Sequence, residues 1–295
     1  MSSKILCIDV GGTRIKAAVM SGPLGINELK MITPSTMRSL GWLNGSLPKI
    51  ISVDHWAGMI SKISDDYLEI AICVPGPVKG GQFYRNDRAS VPRNLQSECQ
   101  KYAKNKKVRI YKDADAWMAG AIAFRKLSHK TLKYPAIALI FGTGVGLSAA
   151  LDETSIQSLE ITELPIPFEH LAEGSGCPID KKWKVHDILG KQFFEWVDNH
   201  QKEWDYDRVR KEYSKRVVAL FNDIAPHLSR YAGNINTLIF GGGNAEYISI
   251  SHLSEKCGVQ IKSLYSRDSE VNPDVVPLVG LYELAVTGKP SITVV

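Results

Sequence analysis

The sequence lacks the marks of membrane-spanning, disulfide-rich and nucleic-acid-binding proteins. No apolar run in its 295 residues approaches the length of about 20 that a membrane span requires. Five widely spaced cysteines form no C-x-x-C pair, which predicts reduced thiols and no disulfide framework: Cys7, Cys73, Cys99, Cys177 and Cys257. Basic residues form no long run interleaved with aromatic residues, so we expect no nucleic acid partner.

A secretory signal peptide is not expected either, because only one short apolar run precedes Asp9. We therefore expect a cytoplasmic protein that does not contact membranes. A hydrophobic content of 44% and a charged content of 23% are typical of a globular chain, and the length suggests two domains. The net charge of +5 suits an anionic ligand without requiring one.

Two glycine-rich turns, one in each half of the chain, are the most informative motifs. Each lies between apolar runs that are typical of a hairpin, residues 4–10 with 14–20 and residues 136–141 with 145–151. Glycine permits a tight turn whose exposed backbone N–H groups can cradle a phosphate. Two such hairpins predict a duplicated fold that holds phosphate between its lobes.

Elsewhere, strand-like and helix-like runs alternate, which predicts the α/β class. The predicted strands cover residues 28–33, 67–74, 108–111 and 237–240, and the predicted helices cover 53–64, 94–104, 114–127, 207–230 and 279–286. The segment 152–180 is rich in proline and glycine, so it is predicted to be irregular.

The first glycine turn carries groups suited to a phosphoryl donor. Asp9 ends the first strand, where a carboxylate can hold Mg²⁺ directly or through water. Gly11 and Gly12 would bring backbone N–H groups to a phosphoryl group. Thr13 adds a hydroxyl, and Lys16 adds a positive charge. The alternative is an ordinary hairpin turn with an exposed lysine.

The second turn, Gly142-Thr143-Gly144, fits neither of two common nucleotide-binding motifs. Leu147 stands where the third glycine of a dinucleotide motif belongs, and no Gly-Lys-Ser/Thr follows as in a P-loop. Paired with the first turn, it is interpreted as a second phosphate clamp. A purely structural turn is the alternative.

A third glycine run, Gly241-Gly242-Gly243 before Asn244, follows a predicted strand. Backbone at such a position can approach a phosphate or a flat ligand closely. A plain strand-to-helix turn is the alternative.

Asp113 is the candidate for acid–base chemistry. It follows a strand at its carboxyl end, where catalytic groups of α/β sheets collect, and its carboxylate could accept a proton from an attacking hydroxyl. A helix N-cap is the alternative role, and Asp115 could cap the same helix. His170 and Cys177 are too few for a zinc site.

In the order and spacing of these motifs, the chain resembles the ROK family of sugar kinases, within the actin-like ATPase and hexokinase fold. The resemblance rests on the segments Asp9–Lys16, Val74–Val78, Lys112–Ala116, Gly142–Gly146, Ile239–Gly243 and Val279–Leu281. It implies a two-lobed, duplicated ribonuclease-H-like fold of the actin/hexokinase type with a central cleft. The expected first lobe comprises residues 1–113 plus 279–295, and the second comprises 114–278. The resemblance also implies that Asp113 is the catalytic base and that the three glycine motifs bind the donor.

Two departures from the family concern the acceptor sugar. The family's cysteine-rich zinc cluster is missing, so no zinc is expected. Its Glu-x-Gly-His sugar motif here reads Pro167-Phe168-Glu169-His170, so only the histidine is retained. We expect sugar contacts from Asn94, Asp113, Glu169 and His170, with Glu163 as a rival of Glu169 and with Asn86 and Asp87 as weaker candidates.

The missing cluster, the Asp-Ala-Asp segment and the lysine- and tryptophan-containing stretch after His170 resemble the polyphosphate glucokinase branch. The expected reaction transfers a terminal phosphoryl group from ATP or polyphosphate, with Mg²⁺, to a hexose hydroxyl. Three alternatives stay open: a kinase for an N-acetylated hexosamine or another hydroxyl compound, a non-catalytic sugar-binding protein, and an actin- or Hsp70-like ATPase. A homodimer is the family expectation. The short strand before Asp9 leaves no room for a helix-turn-helix domain, so we do not expect a repressor.

Overall fold

The computed structural model describes most of the chain. The described residues are 4–11, 15–22, 29–33, 35, 37, 43–44, 47–48, 67, 69–79, 82–83, 94–103, 105–127, 131–142, 144–161, 170, 184–264, 272–288 and 292–293.

Short strands and helices alternate along these residues, as the α/β prediction requires. The strands are β1 (Ile5–Val10), β2 (Ile15–Met20), β3 (Lys30–Met31), β4 (Leu43–Asn44), β5 (Leu47–Pro48), β6 (Glu69–Val74), β7 (Val78–Lys79), β8 (Gln82–Phe83), β9 (Lys107–Lys112), β10 (Ala136–Phe141), β11 (Val145–Ala150), β12 (Ile156–Leu159), β13 (Thr237–Gly241), β14 (Gln260–Ser263) and β15 (Ile292–Thr293). The helices are α1 (Leu95–Tyr102), α2 (Asp113–Leu127), α3 (Val185–Ile188), α4 (Lys191–Asn199), α5 (Tyr206–Ala232), α6 (Ile250–Lys256) and α7 (Val276–Thr287). No helix among the described residues is both long and apolar enough to span a membrane.

The first sheet has the strand order β3-β2-β1-β6-β9. Its β1–β2 pair is the predicted hairpin, antiparallel with Val10 opposite Ile15, whereas β1 runs parallel to β6 and β6 parallel to β9. Strand β1 is buried along its whole length, as expected of a strand covered on both faces. Leu6 and Ile8 belong to the apolar cluster that includes α1, and Ile5 and Cys7 belong to the cluster with α2 and α7.

A second set of strands repeats this arrangement. Strands β10 and β11 form the other predicted hairpin, with Phe141 opposite Val145, and β10 runs parallel to β13, which runs parallel to β14. The order β11-β10-β13-β14 thus matches β2-β1-β6-β9 strand for strand. The predicted duplication of a glycine-turned hairpin beside parallel strands is confirmed.

The chain divides into two compact units whose bounds differ from those of the expected lobes, chiefly at α2. The first comprises Met1–Lys130, Ile156–Ser158 and Asp274–Val295, and the second comprises Thr131–Ser155 and Leu159–Pro273. Helix α2 therefore belongs with the first unit, whereas the sequence placed the boundary before it, after residue 113. The physical reason is a close helix crossing, because a Cβ on Gly280 of α7 would overlap the carbonyl oxygen of Ala116 in α2.

Several predicted elements differ from the observed ones. Strand β12 lies within the segment that was predicted to be irregular, and the predicted strand at 28–33 is reduced to β3. The sequence interpretation did not assign α3, α4, α6 or β14. The helix predicted at 53–64 lies outside the described residues.

Candidate active site

Two carboxylates stand at the carboxyl edge of the parallel strands in the first unit. Asp9 lies near the end of β1, level with Cys73 of the neighbouring strand β6. Cys73 is level with Tyr111 of β9, and Asp113 follows that strand directly as the first residue of α2. Because adjacent strands lie about 4.8 Å apart, the backbones of β1 and β9 are separated by roughly 10 Å at this edge.

Asp9 is a buried carboxylate with a thiol and an ammonium group beside it. The Cys73 thiol donates a hydrogen bond to Oδ1 of Asp9 at 3.2 Å, and Nζ of Lys16 lies 3.7 Å from Oδ2. Burial raises the pKa of Asp9 above its usual value, although Lys16 and the thiol act in the opposite direction. The neighbouring groups of the protein therefore do not fully offset the cost of burying the negative charge of Asp9. A cation that arrives with a ligand would offset more of that cost.

Lys16 lies beside Asp9, as its position on β2 requires. It pairs with Asp9 across the β1–β2 hairpin, and its ammonium group also lies 3.1 Å from Oδ1 of Asp274, just before α7. The same group lies 5.8 Å from the ring centre of Trp117 in α2. The structure thus places Lys16, the predicted phosphate-binding lysine, beside two carboxylates. One of them, Asp274, is a candidate site residue that the sequence did not predict.

Asp113 begins α2 and is not the residue that precedes the helix. Its Oδ1 accepts a hydrogen bond from the backbone N–H of Ala114 at 2.7 Å. Asp115, the other capping candidate, lies inside the helix and is fully buried. Burial first, and then the charges of Asp9 and Asp113, raise the pKa of the Cys73 thiol well above its usual value. The thiol therefore stays protonated and remains a donor to Asp9.

The second glycine turn is held by backbone and side-chain hydrogen bonds in the second unit. The N–H of Gly142 donates to the carbonyl of Gly144 at 2.9 Å. Nδ2 of Asn244 donates to the carbonyl of Gly142 at 2.7 Å, and the N–H of Val145 donates to Nδ1 of His186 at 3.0 Å. Two side chains distant in sequence thus fix the turn between β10 and β11.

The third glycine run lies beside the second turn. Strands β10 and β13 are parallel, with Ile140 opposite Gly241. Gly242 has a φ of 92°, and a Cβ there would overlap the carbonyl oxygen of Phe141, so only glycine suits the position. Gly243 begins a 3₁₀ helix, Gly243–Tyr247, which carries Asn244 to the turn. The run is therefore part of the support of the second turn.

The residues predicted for the sugar are only partly described. Nε2 of His170 lies 2.9 Å from Oδ2 of Asp223 in α5, so the two side chains are in contact. Asn94 is exposed at the start of α1. Predicted residues outside the described part of the chain are Gly12, Thr13, Asn86, Asp87, Thr143, Glu163, Glu169 and Cys177. Within the described part, no group of three or more His, Cys, Asp or Glu side chains could hold a metal ion.

The residue types at Asp9 fit a magnesium ion bound largely through other ligands. Mg²⁺ in phosphoryl-transfer sites keeps several waters and takes only one or two protein carboxylates, together with substrate phosphates. Asp9 supplies one such carboxylate, and its buried charge favours a cation nearby.

The chain is similar in sequence and in fold to several known proteins. No family model matches the chain. Polyphosphate glucokinase of Mycobacterium tuberculosis is 23% identical over 235 residues, which cover 78% of this chain and 77% of that protein. The inorganic polyphosphate/ATP-glucomannokinase of Arthrobacter sp. strain KM superimposes with a TM-score of 0.55 at 16% identity, over 97% of this chain and 99% of the other.

Other structures share the fold with different activities. A ROK family glucokinase from Streptomyces griseus, in complex with glucose and AMPPNP, gives a TM-score of 0.59 at 16% identity and covers 97% of this chain and 100% of its own. A ROK family transcriptional regulator, a homologue of the E. coli MLC protein, gives a TM-score of 0.60 at 15% identity, with 96% of this chain and 78% of its own covered. These likenesses confirm the two-lobed actin/hexokinase-type fold. An activity has to be argued from the site residues, because one fold carries many activities. In fold the chain is similar to proteins of the ROK family, and in sequence it is similar to polyphosphate glucokinases.

Proposed function

We propose that the chain is a sugar kinase that transfers a terminal phosphoryl group from ATP or polyphosphate to a hydroxyl of a hexose. Its sequence similarity to polyphosphate glucokinases supports a phosphotransferase with an alcohol acceptor. The fold it shares with kinases that act on glucose agrees with that reaction.

The observation that carries the proposal is the pairing of Asp9 with Asp113 at one strand edge. Parallel α/β sheets place ligands beyond the carboxyl ends of their strands, and both carboxylates stand there with Cys73 between them. A protein that only bound sugar would need neither a buried carboxylate beside a glycine turn nor a second carboxylate two strands away. Phosphoryl transfer uses both, one for the donor and one for the acceptor.

Asp113 is the proposed general base. At the first position of α2 it faces the positive end of the helix dipole, and the Ala114 N–H fixes one of its oxygens. This hydrogen bond orients the carboxylate, which is proposed to accept the proton of a sugar hydroxyl as the hydroxyl oxygen attacks the phosphoryl group. The acid–base contribution of such a group is typically about 10²- to 10⁴-fold in rate.

The donor side of the reaction is assigned to the glycine turns and to Asp9. Backbone N–H groups near Gly11 and near Gly144 are each proposed to contact phosphate oxygens of the donor. Mg²⁺ held by Asp9 and donor oxygens would neutralise the charge that develops on the transferred group. Lys16 adds a positive charge within reach of Asp9.

The residues that would bind the acceptor sugar are proposed less narrowly than those that would bind the phosphoryl donor. His170, which contacts Asp223, and Asn94 are the described candidates for contact with a sugar hydroxyl, and Glu169 is a further candidate. The altered segment Pro167–His170 keeps the N-acetylated hexosamines as the second candidate class of substrate. The homodimer and the cytoplasmic location stay predictions, and both ATP and polyphosphate stay candidate donors.

The decisive experiment crosses two donors, ATP and polyphosphate, with glucose, mannose, N-acetylglucosamine and N-acetylmannosamine. Product is measured directly as sugar phosphate. We expect transfer to an unmodified hexose from at least one donor. Transfer to N-acetylated sugars alone would favour the second substrate class, and tight sugar binding without transfer from either donor would contradict a kinase.

Asp113→Asn tests the assigned base in the same assay. We expect kcat to fall by about 10²- to 10⁴-fold, with sugar and donor affinities retained, because the amide cannot take the proton but keeps the shape of the side chain. Asp152→Asn is the matched control, since Asp152 lies in an exposed turn of the second unit and should leave kcat unchanged. A turnover of Asp113→Asn close to that of the wild type would remove Asp113 from this role.

A further inference from the structure

His186 of α3 packs against the second glycine turn from a distant part of the sequence. Its Nδ1 accepts the hydrogen bond from the N–H of Val145, at 3.0 Å, across 41 positions of sequence. A Cβ added to Gly144 would lie 3.1 Å from the same nitrogen, so the imidazole covers the α-carbon of that glycine. The ring therefore contacts the turn through both a polar and a van der Waals contact.

The hydrogen bond fixes the chemical form of the ring. A backbone N–H can only donate, so Nδ1 of His186 must be unprotonated. The imidazole that holds the turn is then neutral, with its proton on Nε2. The turn therefore requires that residue 186 place a hydrogen-bond acceptor at the position of Nδ1.

The helix that carries His186 is itself anchored by buried side chains of α5. A helix of four residues is too short to be stable alone, and α3 is supported at both ends. At its start the N–H of Lys184 donates to Oδ2 of Asp187 at 2.8 Å. At its end the Tyr213 hydroxyl donates to the Leu189 carbonyl at 2.7 Å, and a guanidinium nitrogen of the same α5 donates to the Ile188 carbonyl at 2.9 Å.

That guanidinium belongs to Arg216, whose side chain is completely buried. It is compensated by Glu212, with Nε to Oε1 at 3.0 Å, and by the face of Phe193, whose ring centre lies 4.3 Å away. A buried charge that is paired in this way resists displacement, because removal of either partner leaves a costly unpaired group. A continuous set of contacts therefore links α5 through α3 to the turn.

We propose that His186 is a positioning residue for the phosphoryl donor. It acts through the Gly142–Gly144 turn, holding the Val145 amide while Asn244 holds the Gly142 carbonyl on the other side. The turn then keeps its donor-binding conformation before the donor arrives. The inference rests on the proposed kinase function, in which this turn contacts donor phosphates.

The test compares His186→Asn with His186→Gln. The side-chain oxygen of asparagine lies near the position of Nδ1, whereas that of glutamine lies near the position of Nε2. We expect His186→Gln and His186→Ala to raise the KM of the donor by about five- to tenfold, the effect of one lost hydrogen bond. His186→Asn should stay within about twofold of the wild type, and the KM of the sugar should hardly change in any variant.

His252→Gln is the control, because it replaces a histidine on another helix of the same unit, α6. It should leave the donor KM unaltered. A second readout, hydrogen exchange at the Val145 amide measured by NMR, does not depend on catalysis. We expect protection in the wild type and in His186→Asn, and faster exchange in the Gln and Ala variants. An unchanged donor KM in His186→Ala, or equal exchange in all variants, would overturn the inference. If the wild type transferred no phosphoryl group, the kinase proposal would fail, while the exchange experiment would still decide whether His186 holds the turn.

Discussion

Asp9 illustrates at the residue scale how a functional group is kept at a cost to stability. Its carboxylate is buried, and burial raises its pKa above the ordinary value of 3.8. A raised pKa in the folded state means that the folded protein binds the proton more tightly than the unfolded chain does. Stability is therefore lost as the pH rises from about the ordinary value through the raised one.

Asp9→Asn should make the protein more stable at pH 7 while abolishing donor binding. The neutral amide avoids the desolvation of a charge, its oxygen can still accept from the Cys73 thiol, and Lys16 retains Asp274 as a partner. Denaturant unfolding at pH 4 and pH 7 measures the effect, and the advantage of the variant should be larger at pH 7. A variant less stable than the wild type at both values would contradict this account.

Asp152→Asn provides a control of opposite sign. Hydrogen bonds from Thr154, and then from Ser155, lower the pKa of Asp152 to about 2. Its contribution is therefore present above the ordinary pKa and lost as the pH falls through the folded value. Because this carboxylate is exposed, the destabilisation of Asp152→Asn at pH 7 should stay below about 1 kcal/mol.

Local sequence was enough to propose the candidate site residues that lie on the hairpins and at the strand ends. Asp9, Lys16, Gly144 and Asp113 follow from a carboxylate or glycine placed where an apolar run stops. The residues that hold them were not assigned. His186 reaches the turn from 41 positions away and Asn244 from 102 positions away, and no local pattern encodes which distant side chain completes a turn.

At the scale of elements, the hairpins, β6, β9 and the longer helices were predicted within a few residues because their apolar periodicity is strong. Except for α4, which has nine residues, the missed helices and β14 are short. Helix α3 has four residues, α6 has seven and β14 has four, so each depends on tertiary contacts instead of its own propensity. Tyr213 and Arg216 supply those contacts for α3.

The crossing of α2 and α7 gives the sharpest prediction at this scale. Gly120 and Gly280 bring the two helix backbones together, because a Cβ on either would overlap a carbonyl oxygen of the other helix. Helix propensity alone would make Gly280→Ala stabilising by about 1 kcal/mol. Overlap with backbone cannot be relieved by a rotamer change, so we expect a net destabilisation of about 1–3 kcal/mol.

Thermal and denaturant unfolding of Gly280→Ala measures this net effect. Val286→Ala on the same helix is the control, since that side chain is largely exposed at 56% and should change stability by less than about 0.5 kcal/mol. A Gly280→Ala protein as stable as the wild type would mean that α7 can move away from α2.

At the scale of the whole molecule, the division into units shows why the predicted boundary differed. The sequence separated the lobes at Asp113, where a motif ends, but helix α2 continues directly from β9 and packs on α7. Residues near the C-terminus thereby complete the first unit. The sequence predicted that the C-terminal helix joins the first lobe, but the order of motifs does not show that α2 packs on that helix.

Net charge is the whole-molecule property that separates the two proposed donors. The chain carries 36 basic and 31 acidic side chains, so its average field attracts anions. A polyphosphate chain presents many charges to that field, whereas ATP presents few and the sugar presents none. We expect the KM of polyphosphate to rise with salt more steeply than the KM of ATP, while the KM of the sugar stays flat. The range from about 0.01 to 0.1 M salt suits the measurement, because the Debye length falls there from about 30 to about 10 Å. Equal salt dependence for both donors would mean that polyphosphate contacts the protein only where ATP does.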